Sequence, residues 1–503
     1  FVHFYHNGLG IAYNDARSHL DIGRRVVEGL NVGAAQLGSV WLPLTHLLMS
    51  VTIWNDFMWH SGLAGALWSM LAFVMTGVWI YCFLRELGVG LLGRYSGVAI
   101  FVANLNILYL QSTAMTELVL IGTMTGGAYY LLRWFQTENT LFMIYSAFFI
   151  MLSSLVRYDG WFMFFFATLL MTIFIFRKYG YWHAEGVFIF FCTLGGFGVF
   201  LWLLWNALIF HDPLYFAFGP YSAHAQQDQL NNAGVLPSKG NWIYSLKVYM
   251  HAYAYNVGAF TMLLGFIGAA TLWFTKKLDA ATRLASVVLI APLLFNILAL
   301  YLGHSVLYIQ GISGDTWFNV RYGVMMMPSV AIFVGYLIHR VVGLRPVIIG
   351  LLVFVTFFQF SSADAVTIDD ARVGSSQKNV SEVSGWLKQH AGPEQGFILI
   401  SAASHDSVIF SSGLPMKRFI HEGAGTYYDV AIKYPDQWAR WIVVRSYSDD
   451  DSTWRLLKDN PGFLDRYMKV NSYPFADIYE LKPEYLDQLH TEATLDPKVK
   501  KLR

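Results

Sequence analysis

Five ionisable side chains stand out in a chain that otherwise avoids charge. Asp15 lies in "AYNDARSHLD", Glu117 in "QSTAMTE", Arg157 and Asp159 in "RYDGW", and Arg321 in "GDTWFNVRYG". A carboxylate can take a proton from a hydroxyl, and fixed guanidinium groups can hold a leaving phosphate. One acid and two arginines at a membrane surface would therefore suit transfer of a group from a lipid phosphate to a hydroxyl. Phosphate leaves readily, so that chemistry needs no strong general acid. Each residue also has a plainer reading. Asp15 caps a helix. Glu117 gains from a helix dipole. Arg157 and Asp159 form a structural ion pair or snorkel, and Arg321 anchors an interface.

The elements that must position these residues are membrane helices. The chain has 503 residues, 55% hydrophobic and 13% charged, about half the charge of a soluble domain. Residues 364–503 hold 37 of the 67 charged side chains. The expected organisation is thus a membrane region, 1–361, followed by a soluble domain, 362–503. A net charge of +1 gives no reason to expect a nucleic-acid partner. Cys82 and Cys192 each lie in an apolar run, which argues against a disulfide or metal site.

Runs of about 20 apolar residues predict spanning helices at 60–84, 95–112, 116–134, 140–156, 161–177, 186–210, 256–274, 283–303, 322–341 and 346–361. The chain begins at Phe1 without a Met, and the stretch before Asn14 reads as the tail of a further span, giving about eleven. Basic residues in alternate connections (Arg85/Arg94, Arg133, Arg177/Lys178, Lys276/Lys277/Arg283 and Arg340/Arg345) are expected inside. Outside are then 13–59, 113–116, 157–160, 211–255, 304–321 and the tail. Asp15, Glu117, Arg157, Asp159 and Arg321 all fall on that outer side. Charge at membrane depth is costly and faces a cavity or a partner, so a polar cavity is expected there.

"DARSHLDIGRRVVEGL" reads as an amphipathic helix with Asn14 or Asp15 as N-cap. "SVWLPLTHLLMSVTIW" reads as a second, greasier helix, with Trp41 and Trp54 at headgroup level. His19, one turn from Asp15, makes those two candidate ligands of a divalent metal, a weak set on its own. Pro213, Gly219 and Pro220 make 211–255 a structured loop, with Tyr215, Tyr221, His224 and Gln226 placed to close over substrates. In the tail, "SEVSGWLKQHAG" and "STWRLLKDN" read as helices. "GFILISAA" and "DIYEL" read as strands, and "DQWARWIVVRS" as a helix end running into a strand. The sum is a small α/β domain.

The ordered set "YNDARSHLDIGRRVVEGL", "TAMTE", "LVRYDGW", "NALIFHDPLYFAFGPYSA" and "WFNVRYG" before "MMMP" resembles the GT-C membrane glycosyltransferases. The branch is that of the protein O-mannosyltransferases and lipid A aminoarabinose transferases, and the resemblance covers residues 1–361. It implies a polyprenyl-phosphate-linked sugar donor, a hydroxyl acceptor on protein, lipid or glycan, and inversion at the anomeric carbon. By position it implies Asp15 as base and Glu117 as second acid, with Arg157 and Arg321 at the phosphate. Asn14, Arg17, His19, Asp159 and Tyr322 would support them. Many relatives carry two adjacent acids where this chain has Asn14–Asp15. The site and the C-terminal domain, which offers a surface for protein partners, are expected outside the cytoplasmic membrane. Two rival readings are a non-catalytic subunit of the same fold and, ranked lower, a transporter, which would want midplane charge and internal repeats.

Overall fold

The computed structural model describes residues 1–219, 222–232, 234–373 and 377–493. It divides into two compact units. One comprises Phe1–Gly10, Ser39–Thr45 and Ala66–Gly374; the other comprises Ile11–Gly38, His46–Gly65 and Ser375–Arg503.

The first unit is a helical bundle. Among the described residues, five helices are long and apolar enough to cross a membrane: Leu63–Glu86, Tyr158–Tyr179, Ala280–Leu302, Val320–Arg340 and Val342–Val373. Two bent pairs raise this to seven if each is one span: Tyr181–Gly195 with Phe197–Phe210, bent by 49°, and Trp242–Val257 with Ala259–Phe274, bent by 107°. These match seven of the about eleven spans expected; the remaining runs form helices that are shorter or more polar. The run 95–112 is interrupted where Ala103 closes one helix, Leu91–Val102, and Asn104 caps the next, Leu105–Leu110, by accepting from Ile107 N–H at 3.0 Å. Thr140–Ser154 is too short to cross alone. Glu117–Thr137 has the length, but its mixed polar content keeps it out of the apolar set.

The sharpest bend sits at Gly258, whose φ of +88° only glycine adopts readily. Breaking a helix in an apolar bundle exposes backbone that must find partners inside the protein. Asparagines supply them. The Asn256 carbonyl accepts from Asn104 Nδ2 (2.8 Å) and Asn106 Nδ2 (3.1 Å), while Asn256 Nδ2 donates to the carbonyls of Ala252 (2.8 Å) and Val320 (2.7 Å). Elsewhere the helices meet through small residues: a Cβ on Gly93 would lie 2.6 Å from the Gly335 carbonyl oxygen.

The connections sort into two groups. Glu86 pairs with Arg133 at 3.0 Å, Gln136 donates to Thr282 at 3.2 Å, and Gly90 N–H meets His339 at 3.2 Å. The basic connections foreseen on one side are therefore gathered at one end. Glu117, Arg157, Asp159 and Arg321 gather at a different place, described below.

The second unit holds a five-stranded sheet of β1 (Phe397–Ile400), β2 (Phe419–Ile420), β3 (Ala439–Val444), β4 (Tyr467–Ser472) and β5 (Asp477–Leu481), in the order β2-β1-β3-β5-β4. β1 runs parallel to β2 and β3; β5 is antiparallel to β3 and β4. This is the small α/β domain expected of the tail. The first-loop helix, Asn14–Val27, clusters with it. Arg25 faces Asp406 at 3.4 Å, and Arg17 Nη1 donates to Ser411 Oγ at 3.1 Å. The expected cap is corrected: Tyr13 occupies the N-cap position, and Asn14 and Asp15 both lie in the first turn. The second loop helix is also shorter than expected. It forms only Leu44–Met49, and a separate turn of helix, Asp56–His60, starts where Asn55 accepts from Met58 N–H at 3.2 Å.

Candidate active site

Three helix starts build the charged cluster of the bundle. Glu117 opens Glu117–Thr137 after a tight turn. Arg157 is the extended N-cap residue of Tyr158–Tyr179, and Asp159 lies in that helix's first turn. Arg321 enters on the 3-10 turn Val320–Met326, just after Asn319, which adopts φ +55°. Acids in first turns sit well with the helix dipole; the arginines do not, and their carboxylate partners offset this.

Both arginines converge on one atom. Glu117 Oε1 lies 3.0 Å from Arg321 Nε and 3.5 Å from Arg157 Nη1. Arg157 Nε also faces Asp159 Oδ2 at 3.4 Å, and Arg321 Nη1 lies 3.8 Å from Asp370 Oδ2. The Tyr322 ring packs on both guanidiniums, with centroids 4.7 Å from Arg157 Cζ and 5.4 Å from Arg321 Cζ. Tyr249 Oη donates to the Tyr322 carbonyl at 3.3 Å, and Asn296 Nδ2 lies 3.5 Å from Asp159 Oδ1. Glu117 is fully buried and the Arg321 side chain only 5% exposed, whereas Arg157 keeps 22%. A fully buried carboxylate is tolerated because two cations share it. The result is a pair of fixed guanidiniums, one of them reachable, which is what an incoming oxyanion requires.

The structure thus brings together four of the five residues singled out in the sequence, with Tyr322 as expected. It adds Asp370, Asn296, Tyr249 and Phe216. Phe216 of the 211–255 loop stacks on Tyr158 at 5.7 Å between centroids, next to Arg157. Its neighbour Tyr215 stacks on Phe210, and His224 faces Asp228 at 3.2 Å. Tyr221 and the side chain of Gln226 lie outside the described residues. A polar residue inside an apolar run, Asn296, was a readable signal; Asp370 offered none.

Asp15 belongs to the second compact unit, on the half-exposed first turn of Asn14–Val27. On that helix Arg17 Nε donates to the Ile11 carbonyl at 2.9 Å. His19 Nδ1 lies 2.8 Å from His46 Nε2, so its ring partner is a second imidazole. Among the described residues no group of three or more His, Cys, Asp or Glu gathers to hold a metal ion. Further along, Asp21 is buried, and burial with the nearby Asp406 raises its carboxyl well above the usual range. Burial likewise pushes Asp406 up to about 6, against the pull of Arg25.

No family model and no curated protein matches the sequence. Solved structures do. ArnT from Cupriavidus metallidurans, bound to undecaprenyl phosphate, superposes with TM-score 0.55 at 10% identity, covering 94% of each chain. The same protein in its apo state gives 0.52 at 10% identity, over 93% of this chain and 94% of that one. Archaeoglobus fulgidus oligosaccharyltransferase AglB, with an inhibitory peptide and a dolichol-phosphate, gives 0.44 at 10% identity, over 94% and 71%. The fold implied by the ordered sequence motifs, that of the GT-C membrane glycosyltransferases, is the fold that this chain shares with ArnT over nearly its whole length.

Proposed function

We propose that the chain is an integral-membrane glycosyltransferase moving a sugar from a polyprenyl-phosphate donor to a hydroxyl acceptor, with its site outside the cytoplasmic membrane. The observation that carries this is the convergence of Arg157 and Arg321 on Glu117 over the Tyr322 ring. It supports a phosphate site in a fold whose solved relative binds undecaprenyl phosphate. Arg157 and Arg321 hold the donor phosphate and stabilise the charge that grows on it as it leaves. Asp15 takes the acceptor proton. The acceptor oxygen bonds to the anomeric carbon as the bond from that carbon to the phosphate oxygen breaks, with inversion. Glu117, buried and shared by both arginines, holds them in place; Asp159 orients Arg157. Phe216 gives the 211–255 loop its hold beside the site. The C-terminal domain offers a surface for the acceptor glycan or a protein partner.

The test is Asp15→Asn in membranes supplied with a polyprenyl-phosphate-linked sugar. Loss of a general base predicts a fall in transfer of about a hundredfold or more; undiminished transfer sinks the mechanism. Asn14, standing beside Asp15 in place of a second acid, favours one other reading: a non-catalytic subunit. A wild-type chain that binds the lipid phosphate without transferring sugar to any supplied hydroxyl would support it.

A further inference from the structure

The short helix Val366–Val373 follows the apolar helix Arg345–Ser362 and clusters with the bundle. Thr367 seats it by donating its N–H and its hydroxyl to Asn106 Oδ1, at 3.0 and 2.8 Å. Asn106 is one of the two asparagines that satisfy the broken backbone at Asn256. Val366 joins the apolar cluster that contains Tyr249 and Val320. The seat buries Asp370 to 3% exposure and sets its Oδ2 3.8 Å from Arg321 Nη1. Glu117 holds the guanidinium plane through Nε at 3.0 Å; Asp370 adds charge. With it, two guanidiniums face three carboxylates: Glu117, Asp159 and Asp370.

Three acids around a phosphate site look counterproductive until donor and product are compared. The donor is a phosphodiester with one negative charge. The product, a polyprenyl phosphomonoester, carries close to two at pH 8, since its second pKa is near 6. Cations alone hold the product more tightly than the donor, and turnover then waits on release. A fixed carboxylate beside the arginine repels the dianion about twice as strongly as the monoanion, because Coulomb energy scales with charge.

We propose that Asp370 is a positioning residue that acts through Arg321 to weaken the site's grip on product more than on donor, so that the spent lipid phosphate leaves. This rests on the reading of the site given under the proposed function. It makes the segment between the last apolar helix and the C-terminal domain part of the donor site.

The experiment uses the full chain in lipid nanodiscs at pH 8. The probes are undecaprenyl phosphate and its methyl phosphodiester, which differ by one charge and need no knowledge of the sugar. The wild type is expected to bind the two within about threefold of each other. Asp370→Asn should tighten the monoester about tenfold and the diester about threefold, the first factor being the square of the second. In turnover it should lower kcat and the donor KM together, and Asp370→Glu should restore the wild-type ratio. Equal tightening of both probes, or weaker binding with a raised donor KM, overturns the inference while leaving the phosphate site standing. If Asp370→Asn fails to fold, the wild type still decides: a preference for monoester over diester beyond tenfold overturns it. Binding of neither probe by the wild type overturns the phosphate site itself, and this inference with it.

Discussion

Among the described residues the bundle carries acid–arginine contacts in two places, and they differ in burial. Where the basic connections gather, Glu86 meets Arg85 and Arg133 at 3.0 Å each, but the side chains are 19%, 48% and 24% exposed. Such pairs contribute little, about 0–1 kcal/mol, because water competes for both partners. At the other place one fully buried carboxylate serves two arginines, with two further acids close by. Burying these charges costs several kcal/mol per ion, and apolar packing would hold helices together without that cost. The similar distances conceal opposite economics. Exposed charge costs little to keep at a helix end; buried charge is kept against its desolvation cost, and the proposed phosphate site gives it a reason.

The comparison can be broken at several points. The largest effect is expected from Glu117→Ala, which removes the carboxylate that both guanidiniums share and leaves Arg157 with Asp159 and Arg321 with Asp370. It should lower stability by about 3–5 kcal/mol, read as thermal unfolding in detergent. Glu117→Gln, closer in shape, should retain the fold better yet still lose most transfer. A Glu117→Ala protein as stable as wild type would show that the buried cluster is not a clamp. Next is Arg321→Lys, which keeps the charge and loses the planar fork; donor KM should rise about tenfold or more, equivalent to about 1.4 kcal/mol. Arg133→Lys should leave the same KM unchanged.

A third buried setting, in the C-terminal domain, sharpens the contrast by showing burial that removes charge. His405 and His421 are held down to about 3, chiefly by burial, with Arg445 acting on the first and Arg25 on the second. Folded values below the ordinary 6.5 mean stability that is present above pH 6.5 and is lost as pH falls toward 3. At pH 5 the loss is about 2 kcal/mol per histidine. Asp406, raised to about 6, runs the other way: its burden exists above pH 6 and is relieved on acidification. Asp21, also raised, adds to that relief, so the histidines' share is read as a difference: from pH 7 to pH 5, hydrogen exchange of β1 and β3 should quicken more in the full chain than in a variant whose histidine cannot be protonated. His421→Asn should reduce that response; an unchanged exchange rate would contradict the neutral, buried assignment. The smallest effect belongs to Glu86→Gln, expected to shift stability by less than about 1 kcal/mol and to leave transfer unaltered.

Much of this was legible in the sequence, and the failures have causes. Alternation of basic connections placed Glu117, Arg157, Asp159 and Arg321 on one side before any coordinates, because membrane insertion writes charge into loops. The buried strand Phe397–Ile400 and the helix–strand passage into β3 were readable from apolar runs. β2 was not, being two residues long. The run 95–112 looked continuous because hydropathy averages over Asn104, whereas one helix closes at Ala103 and the Asn104 side chain starts another. Asp370 sits in "TIDDARV", where Asp369 looks equally suited. The hydrogen bonds from Thr367 to Asn106 and the packing of Val366 seat the helix with Asp370 toward Arg321, and no local pattern encodes a contact between residues so far apart in the chain.

The 107° bend at Gly258 has a consequence for biogenesis. The arm Trp242–Val257 and its continuation Ala259–Phe274 cannot enter the bilayer as one straight rod in their final shape. The carbonyl of Asn256 finds its donors on Asn104 and Asn106, in segments synthesised much earlier. Its amide, which has the Ala252 carbonyl within its own helix, gains the carbonyl of Val320 only later. The bend is therefore completed only after the ribosome has passed residue 320, and Arg321 follows at once. Assembly of the arginine pair becomes a late event, and a nascent chain halted before that point carries Glu117 and Arg157 without the second cation that completes the cluster.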